Sequence, residues 1–548
     1  MEQPPARSAR LPLSVLALAG LGTAICYAGA LARFPLLRIY DQPIQNLTKL
    51  TQARASIGIA LAIAIVALFV GYGAGATVLA AHAGRAAPPR RTPRVLPLLV
   101  LGFPLLFLAL LLLVYPVTSI DIYDYLFRGR MLVRYGANTF IQTPSDFKSD
   151  PLFWYTAWRR AVTAYGPLWE GMSWLTARLA GEAPGPPGQN AALAAELLRL
   201  MLAYKLLAVL GYLFCGAAID LVLRRTAPAY RWLGMYLWLW NPLALWESVV
   251  AGHNDAWMAG LIVLAVGLLA PREQAAAREA APQRAGGSPW LVSFLVLTLG
   301  GLVKYLALLF GPLLLGAALR QQPTARARVR LVLIGGAACV ALVVLAYAPF
   351  WVGAGTLRNF SDRGTLFTTS WLAVLQAPLS LRADAPRTGA PNLLSMLAPP
   401  QMVQSLTVSL GLGLLVAGVL WASWRSWEAP RDLARHALWL LLWFLFLCNT
   451  WFQPWYLLWA VALLAIQPWR AAATRVVTVF GCTAMLSYLI WVYLLAALGW
   501  YGDSAAWNAL ASALIYLPPM LTLVWGRRIP LARWAGLLRP APQAAEKL

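Results

Sequence analysis

The chain has 548 residues, 60% of them hydrophobic and only 12% charged, with a net charge of +24. A soluble domain carries about one quarter charged residues, so this composition excludes an ordinary globular protein. The basic surplus sits mostly in short loops flanking apolar runs, the positive-inside pattern, which argues against a nucleic-acid partner.

The first ten residues, MEQPPARSAR, precede an apolar run too long for a cleaved leader and read as a retained signal anchor. Apolar stretches then recur along the chain, many long enough to cross a bilayer. Fourteen segments are predicted, at 11–32, 56–82, 95–117, 191–223, 232–250, 256–270, 289–302, 305–319, 331–352, 403–424, 435–452, 455–468, 476–497 and 508–526. The fold class is therefore all-α, a polytopic membrane protein formed as a single unit over 1–548, with some helices short or broken. Lys and Arg are richer in the loops on the side of both termini, which places the termini in the cytoplasm and the protein in the plasma (inner) membrane. Breaks are expected near GGLVKY and NTWFQPWY, because 289–319 and 435–468 each fit an even number of crossings. Broken helices at membrane depth are tolerated where they face protein or a watery cavity.

Two long loops, 118–190 and 353–402, fall on the outer face. Residues 122–136 predict an interfacial helix with Tyr125, Leu126, Gly129, Leu132 and Val133 on one face and Arg128, Arg130 and Arg134 on the polar one. The stretch 181–190 reads as a linker and 271–288 as a cytoplasmic connector. The five cysteines, Cys26, Cys215, Cys339, Cys448 and Cys482, lie in apolar runs without metal spacing and read as small buried groups.

Four constellations carry candidate chemistry. In SIDIYDYLFRGR, Asp124 stands four residues before Arg128, which makes a helical ion pair available to it. Asp121 has no such partner and is either a helix N-cap or a general base, roles one residue can combine. Arg128 and Arg130 suit a donor phosphate, or else snorkel to lipid headgroups. In WNPLALWESVVAGHNDAWMAG, Pro242 breaks a span, and Glu247, His253, Asn254 and Asp255 cluster at its outer end. They read as sugar or acceptor ligands, and His253 with Asp255 leaves open a divalent cation, though two ligands are a weak metal signal. Lys304, inside a broken segment, should meet an anion such as a lipid phosphate. The aromatic clusters AYGPLWEGMSW and WFQPWYLLW, with Tyr165, Trp169, Glu170, Trp455 and Tyr456, can stack on sugar rings or mark the membrane interface. No nucleotide-binding Gly-rich loop, nucleophile elbow or zinc motif occurs, so no cofactor is demanded.

Together SIDIYDYLFRGRMLVRYGANTF, YGPLWE, NPLALWESVVAGHND, LVKYLALLFGPLLL and FQPWYLLW resemble the GT-C superfamily of membrane glycosyltransferases. Within it they are most similar to polyprenyl-phosphate-mannose-dependent α-mannosyltransferases of bacterial lipomannan assembly. The resemblance implies an outward catalytic cavity and a polyprenyl-phosphate-sugar donor. It also implies a lipid-linked or glycan acceptor and an acidic base in the loop after an early span, at Asp121 or at the adjacent Asp124. Two departures stand out: Asp124 where an aromatic is expected, and Thr139 where proline is expected. The sugar is not readable from the residues; arabinose, glucose or a protein acceptor suit the same scaffold, and a multi-pass transporter or flippase is the rival class.

Overall fold

A computed structural model describes residues 13–40, 46–83, 94–181, 193–270, 289–360, 367–377, 399–494 and 505–525. The signal-anchor N-terminus, the 271–288 connector and most of the 181–190 linker and the 353–402 loop lie outside the described residues. Among those described, the chain is helical throughout, with three isolated bridges and no strand. The expected all-α polytopic architecture is what forms.

Eight described helices are long and apolar enough to cross a membrane. They include α1 (Leu13–Arg33), α2 (Ala55–Ala83), α3 (Val95–Leu112), α6 (Leu193–Thr226) and α12 (Ala325–Tyr347). The other three are α13 (Pro400–Glu428), α16 (Ala471–Leu489) with its π-helical extension, and α17 (Ala505–Trp525). The remaining apolar stretches are helical but short or interrupted, so the expected count of fourteen spans is not reached by single helices. Each interruption has a local cause. Asn241 precedes Pro242 and accepts from the amide of Ala244, which separates α7 (Arg231–Leu239) from α8 (Pro242–Leu245). A π-turn over Trp246–Val250 and a left-handed Gly252 (φ 76°) then lead into α9 (Asp255–Leu269).

The two other breaks fall where the sequence places them. Helix α10 (Pro289–Val303) stops at Lys304, which is extended (φ −151°, ψ 121°), before a 3-10 turn over Tyr305–Phe310 and α11 (Gly311–Arg320). Gly300 faces Ala307, Gly301 faces Leu308, and Gly311 faces Leu297, so the chain doubles back with Lys304 at the apex. Likewise α14 (Leu433–Trp443) runs through a π-turn to Cys448, and α15 (Leu457–Ala465) returns. Gln467 reaches the carbonyl of Ala434 at 2.9 Å, which puts this apex near Thr450. α9 packs along α6 through close glycine contacts, Gly211 under Trp257 and Gly260 against Phe214. Asp255, at the start of α9, meets Lys304, which lines one cleft with Asn449 and Trp451, so the start of α9 and both hairpin apices lie at the same end of the bundle.

The loop helix α4 (Asp121–Arg134) forms, but it does not lie on a lipid surface. Ten consecutive residues, Ile122–Met131, are buried. Its arginines turn inward to acids, and none of the three extends to headgroups. Further along the same loop, Pro151–Tyr155 makes only a 3-10 turn, while Pro167–Leu179 forms α5.

Candidate active site

Asp121 is the first residue of α4; the N-cap position belongs to Ile120, which makes no side-chain cap. The Asp121 amide donates to Ser119 Oγ at 3.2 Å, and its carboxylate accepts from the Trp158 side chain. It opens into a cleft of about 240 Å³, together with Asp124, Trp158, Tyr165, Lys304 and the aromatics of the 449–459 hairpin. Burial pushes the Asp121 carboxyl up to about 6, and the charge of Asp124 adds to this. A hydrogen bond from Trp158 and the Lys304 ammonium pull the other way.

Asp124 takes the helical pair the spacing allows. Arg128 Nε donates to it at 2.9 Å, and the Thr156 hydroxyl donates to its other oxygen at 2.5 Å. Arg128 Nη2 donates to the Ala161 carbonyl, and Nη1 has no acceptor among the described residues. Arg130 is not brought to the cleft. It is fully buried between Asp150, at 2.7 Å, and Glu196, which Arg134 also binds. The reason is helical geometry: nine residues at about 100° each turn Arg130 half a revolution from Asp121.

Lys304 projects from its hairpin apex into the cleft. Its ammonium lies 2.8 Å from Asp255 Oδ1 and faces the rings of Tyr456, Trp459 and Tyr165 at 5.4, 5.5 and 5.8 Å. The same Asp255 oxygen accepts the Trp459 indole N–H at 2.9 Å. Asp255, Asn254, His253 and Glu247 are all fully buried, one layer beneath the residues that line the cleft. His253 stacks under Trp455 at 4.0 Å, and Glu247 accepts from Tyr488 at 2.9 Å. Among the described residues, buried polar atoms without a hydrogen bond collect here: His253 Nδ1, both side-chain polar atoms of Asn254 and Asp255 Oδ2, while His253 Nε2 and Glu247 Oε2 face each other at 3.4 Å. Such groups are costly unless something hydrogen-bonds them, so this layer suits water or a polar substrate group reaching down. Among the described residues, no three His, Cys, Asp or Glu side chains come together as a metal site.

Tyr165, Trp455 and Tyr456 line the cleft. Trp169 and Glu170 do not. Trp169 is 1% exposed and packs on Tyr125 and Tyr165. Glu170 accepts from Thr163 and Thr139, its carboxyl raised by burial. Thr139, the residue standing in for proline, is therefore an anchor of the loop. Sequence reasoning missed Trp158 and Asn449 as lining residues, and it quoted the 451–459 cluster without singling out Trp451 and Trp459. The signal available was the spacing Trp451, Trp455, Trp459, four residues apart on either side of a proline.

An acid near neutrality, a lysine held by a carboxylate and a wall of aromatic rings define a site that can deprotonate a hydroxyl and stack on sugars. Residues 15–320, more than half of the chain, match the family described as Alpha-(1->6)-mannopyranosyltransferase, N-terminal domain. The chain belongs to that family. It is a glycosyltransferase of the mannosyltransferase type, and the resemblance to GT-C enzymes holds. A search among curated proteins finds no match.

Proposed function

We propose that the protein transfers mannose from a polyprenyl-phosphate donor to a lipid-linked or free glycan acceptor, at the outer face of the plasma membrane, with Asp121 as general base. The observation that carries this is the shared cleft: Asp121, with its carboxyl near 6, faces the same space as Lys304 and the rings of Tyr165, Trp455 and Tyr456. An acceptor hydroxyl attacks the anomeric carbon as Asp121 takes its proton. The bond from that carbon to the phosphate oxygen breaks, and the lipid phosphate leaves with the electron pair. A positioned base contributes roughly 10²–10⁴-fold. Lys304 faces the space where negative charge develops on the leaving oxygen, and such fixed charges in a partly dry site lower the barrier further. One displacement inverts the centre, so a β-linked donor gives the α-(1→6) linkage in the family's description.

Tyr165, Trp455 and Tyr456 hold the sugar by stacking. Asp255 keeps Lys304 and Trp459 in place from below. Asp124, tied to Arg128 and Thr156, orients the helix that presents Asp121. The test is transfer from synthetic polyprenyl-phosphate-mannose to membrane lipid acceptors, wild type beside Asp121→Asn. Product with wild type and a loss of at least about 100-fold in the variant supports the reading; near-normal turnover in the variant removes Asp121 as base.

A further inference from the structure

A groove of about 510 Å³ runs between α1, α2 and α16, outside the cleft described above. Its walls are apolar, and small residues keep it open: Gly29 on α1, and Ser56, Ala60 and Ala64 at four-residue spacing on α2. Gly29, Ser56 and Ala60 are exposed, so the groove opens sideways toward the bilayer. Its inner end is different. There the Thr118 and Tyr488 side chains and Trp246 close it, the Trp246 indole donating to Thr118 at 3.0 Å and Tyr488 donating to Glu247. Arg33, the last residue of α1, sits exposed at the rim with one guanidinium nitrogen on the Leu50 carbonyl.

The groove adjoins the site through shared walls. It shares Val117 and Thr118 with a second space of about 360 Å³, which in turn shares Asp121, Trp158, Trp451 and Trp455 with the cleft. A second apolar groove, of about 610 Å³ beside α12, is larger but shares no wall residue with the cleft. Tyr305 stands between it and the cleft, its hydroxyl bonded to the Tyr165 carbonyl and to Tyr347.

From this geometry we infer that the α1–α2–α16 groove binds the isoprenoid chain of the donor lipid and that Arg33 at its rim contacts the donor phosphate. The occupant's chemistry follows from the lining: an apolar chain along small residues, a polar head at hydroxyls, and an anion beside a guanidinium, which suits phosphate. The inference rests on the lipid-phosphate donor proposed above. It adds a phosphate contact where sequence reasoning had named Arg130, which the fold turns away.

The probe is a sugar-free polyprenyl phosphate carrying a photoreactive diazirine on its chain, added to the full chain in lipid nanodiscs. After irradiation, labelled peptides are mapped by mass spectrometry. Labelling concentrated in residues 56–68 and 485–489 supports the groove; labelling concentrated in 343–357, or spread evenly around the belt, overturns it. Ala60→Phe fills the groove from an exposed position. It should cut that labelling and raise KM about tenfold or more for a long-chain mannosyl donor, with a smaller change for a donor of two isoprene units. Equal change for both donors counts against the groove. Arg33→Gln should weaken the phosphate probe but not the matching polyprenol; equal weakening overturns the phosphate contact. Since the probe bears no sugar, its labelling decides the groove even where mannose transfer fails.

Discussion

Lys304 and Asp255 allow stability and catalysis to be separated by a double-mutant cycle. Lys304→Met leaves the Asp255 carboxylate, fully buried, without its cation. Breaking a buried pair from one side costs about 3–5 kcal/mol, because a charge is stranded. The lysine side chain keeps 17% of its surface exposed, so the lower end of that range is expected. Adding Asp255→Asn removes the stranded charge and keeps an amide oxygen for the Trp459 indole, so most of the lost stability should return. Turnover should not return. The cation that the proposed mechanism sets against the leaving phosphate is still missing, and on that mechanism a loss of about 10²–10³ in kcat should persist in the double variant. The measurements are thermal unfolding in detergent and mannose transfer under saturating donor, for wild type, both single variants and the pair. Recovery of turnover along with stability would refute the reasoning, since Lys304 would then serve only Asp255. Wild-type stability in Lys304→Met would refute it differently, by showing that no buried charge was stranded.

With Asp121 as the ionised base, kcat/KM should rise with pH through about 6 and level off above it, and a flat profile there would exclude it. Its carboxyl is raised from 3.8, so the folded chain binds the proton more tightly than the unfolded chain, and stability falls as pH rises through that window. Asp121→Asn should therefore raise the unfolding midpoint near neutral pH and change it little at about pH 3, where both states are protonated; the opposite order would contradict the burial of this group. Arg130→Met strands Asp150 and should cost about 3–5 kcal/mol of stability. The folded fraction should keep the wild-type KM for donor, and a selective rise in that KM would return Arg130 to the phosphate. A methyl group on Gly166 would stand 2.2 Å from the Leu302 carbonyl oxygen, where the Gly166 amide now donates to Val303 at 3.1 Å. Gly166→Ala should push the Lys304 apex away and lower kcat more than it raises KM, whereas a variant with wild-type kcat would uncouple that contact from catalysis.

The fold was legible where the signal was local. Apolar runs located the helices, and Pro242, the glycines before Lys304 and Pro454 marked the breaks, because a missing donor or a missing Cβ changes the backbone where it stands. The Asp124–Arg128 pair was legible for the same reason, being one helical turn long. Arg130 shows the limit. Its half-revolution from Asp121 could be read from spacing, but its partners Asp150 and Glu196 lie 20 and 66 residues away, and no local pattern names them. Trp169 and Glu170 were read as sugar contacts from an aromatic cluster whose rings turn out to pack on each other. Composition reports which groups are present, while helix rotation and tertiary docking decide which of them see the cleft.

The breaks themselves explain why the site is where it is. A helix interrupted at membrane depth exposes backbone and polar side chains that lipid cannot satisfy. One such break would be a defect. Here three meet at the same end of the bundle, and each supplies what another lacks. Asp255 comes from the first turn of α9, just after the π-helical break, Lys304 from one hairpin apex, and Trp459 from the return helix of the other. The carboxylate accepts from both, across 49 and 204 residues of sequence. Loss of any one leaves the others with buried, unpaired polarity, so the three breaks persist as a set. The space they enclose is polar, walled by protein and faced by Asp121, which is the environment a glycosyl transfer beside lipid requires.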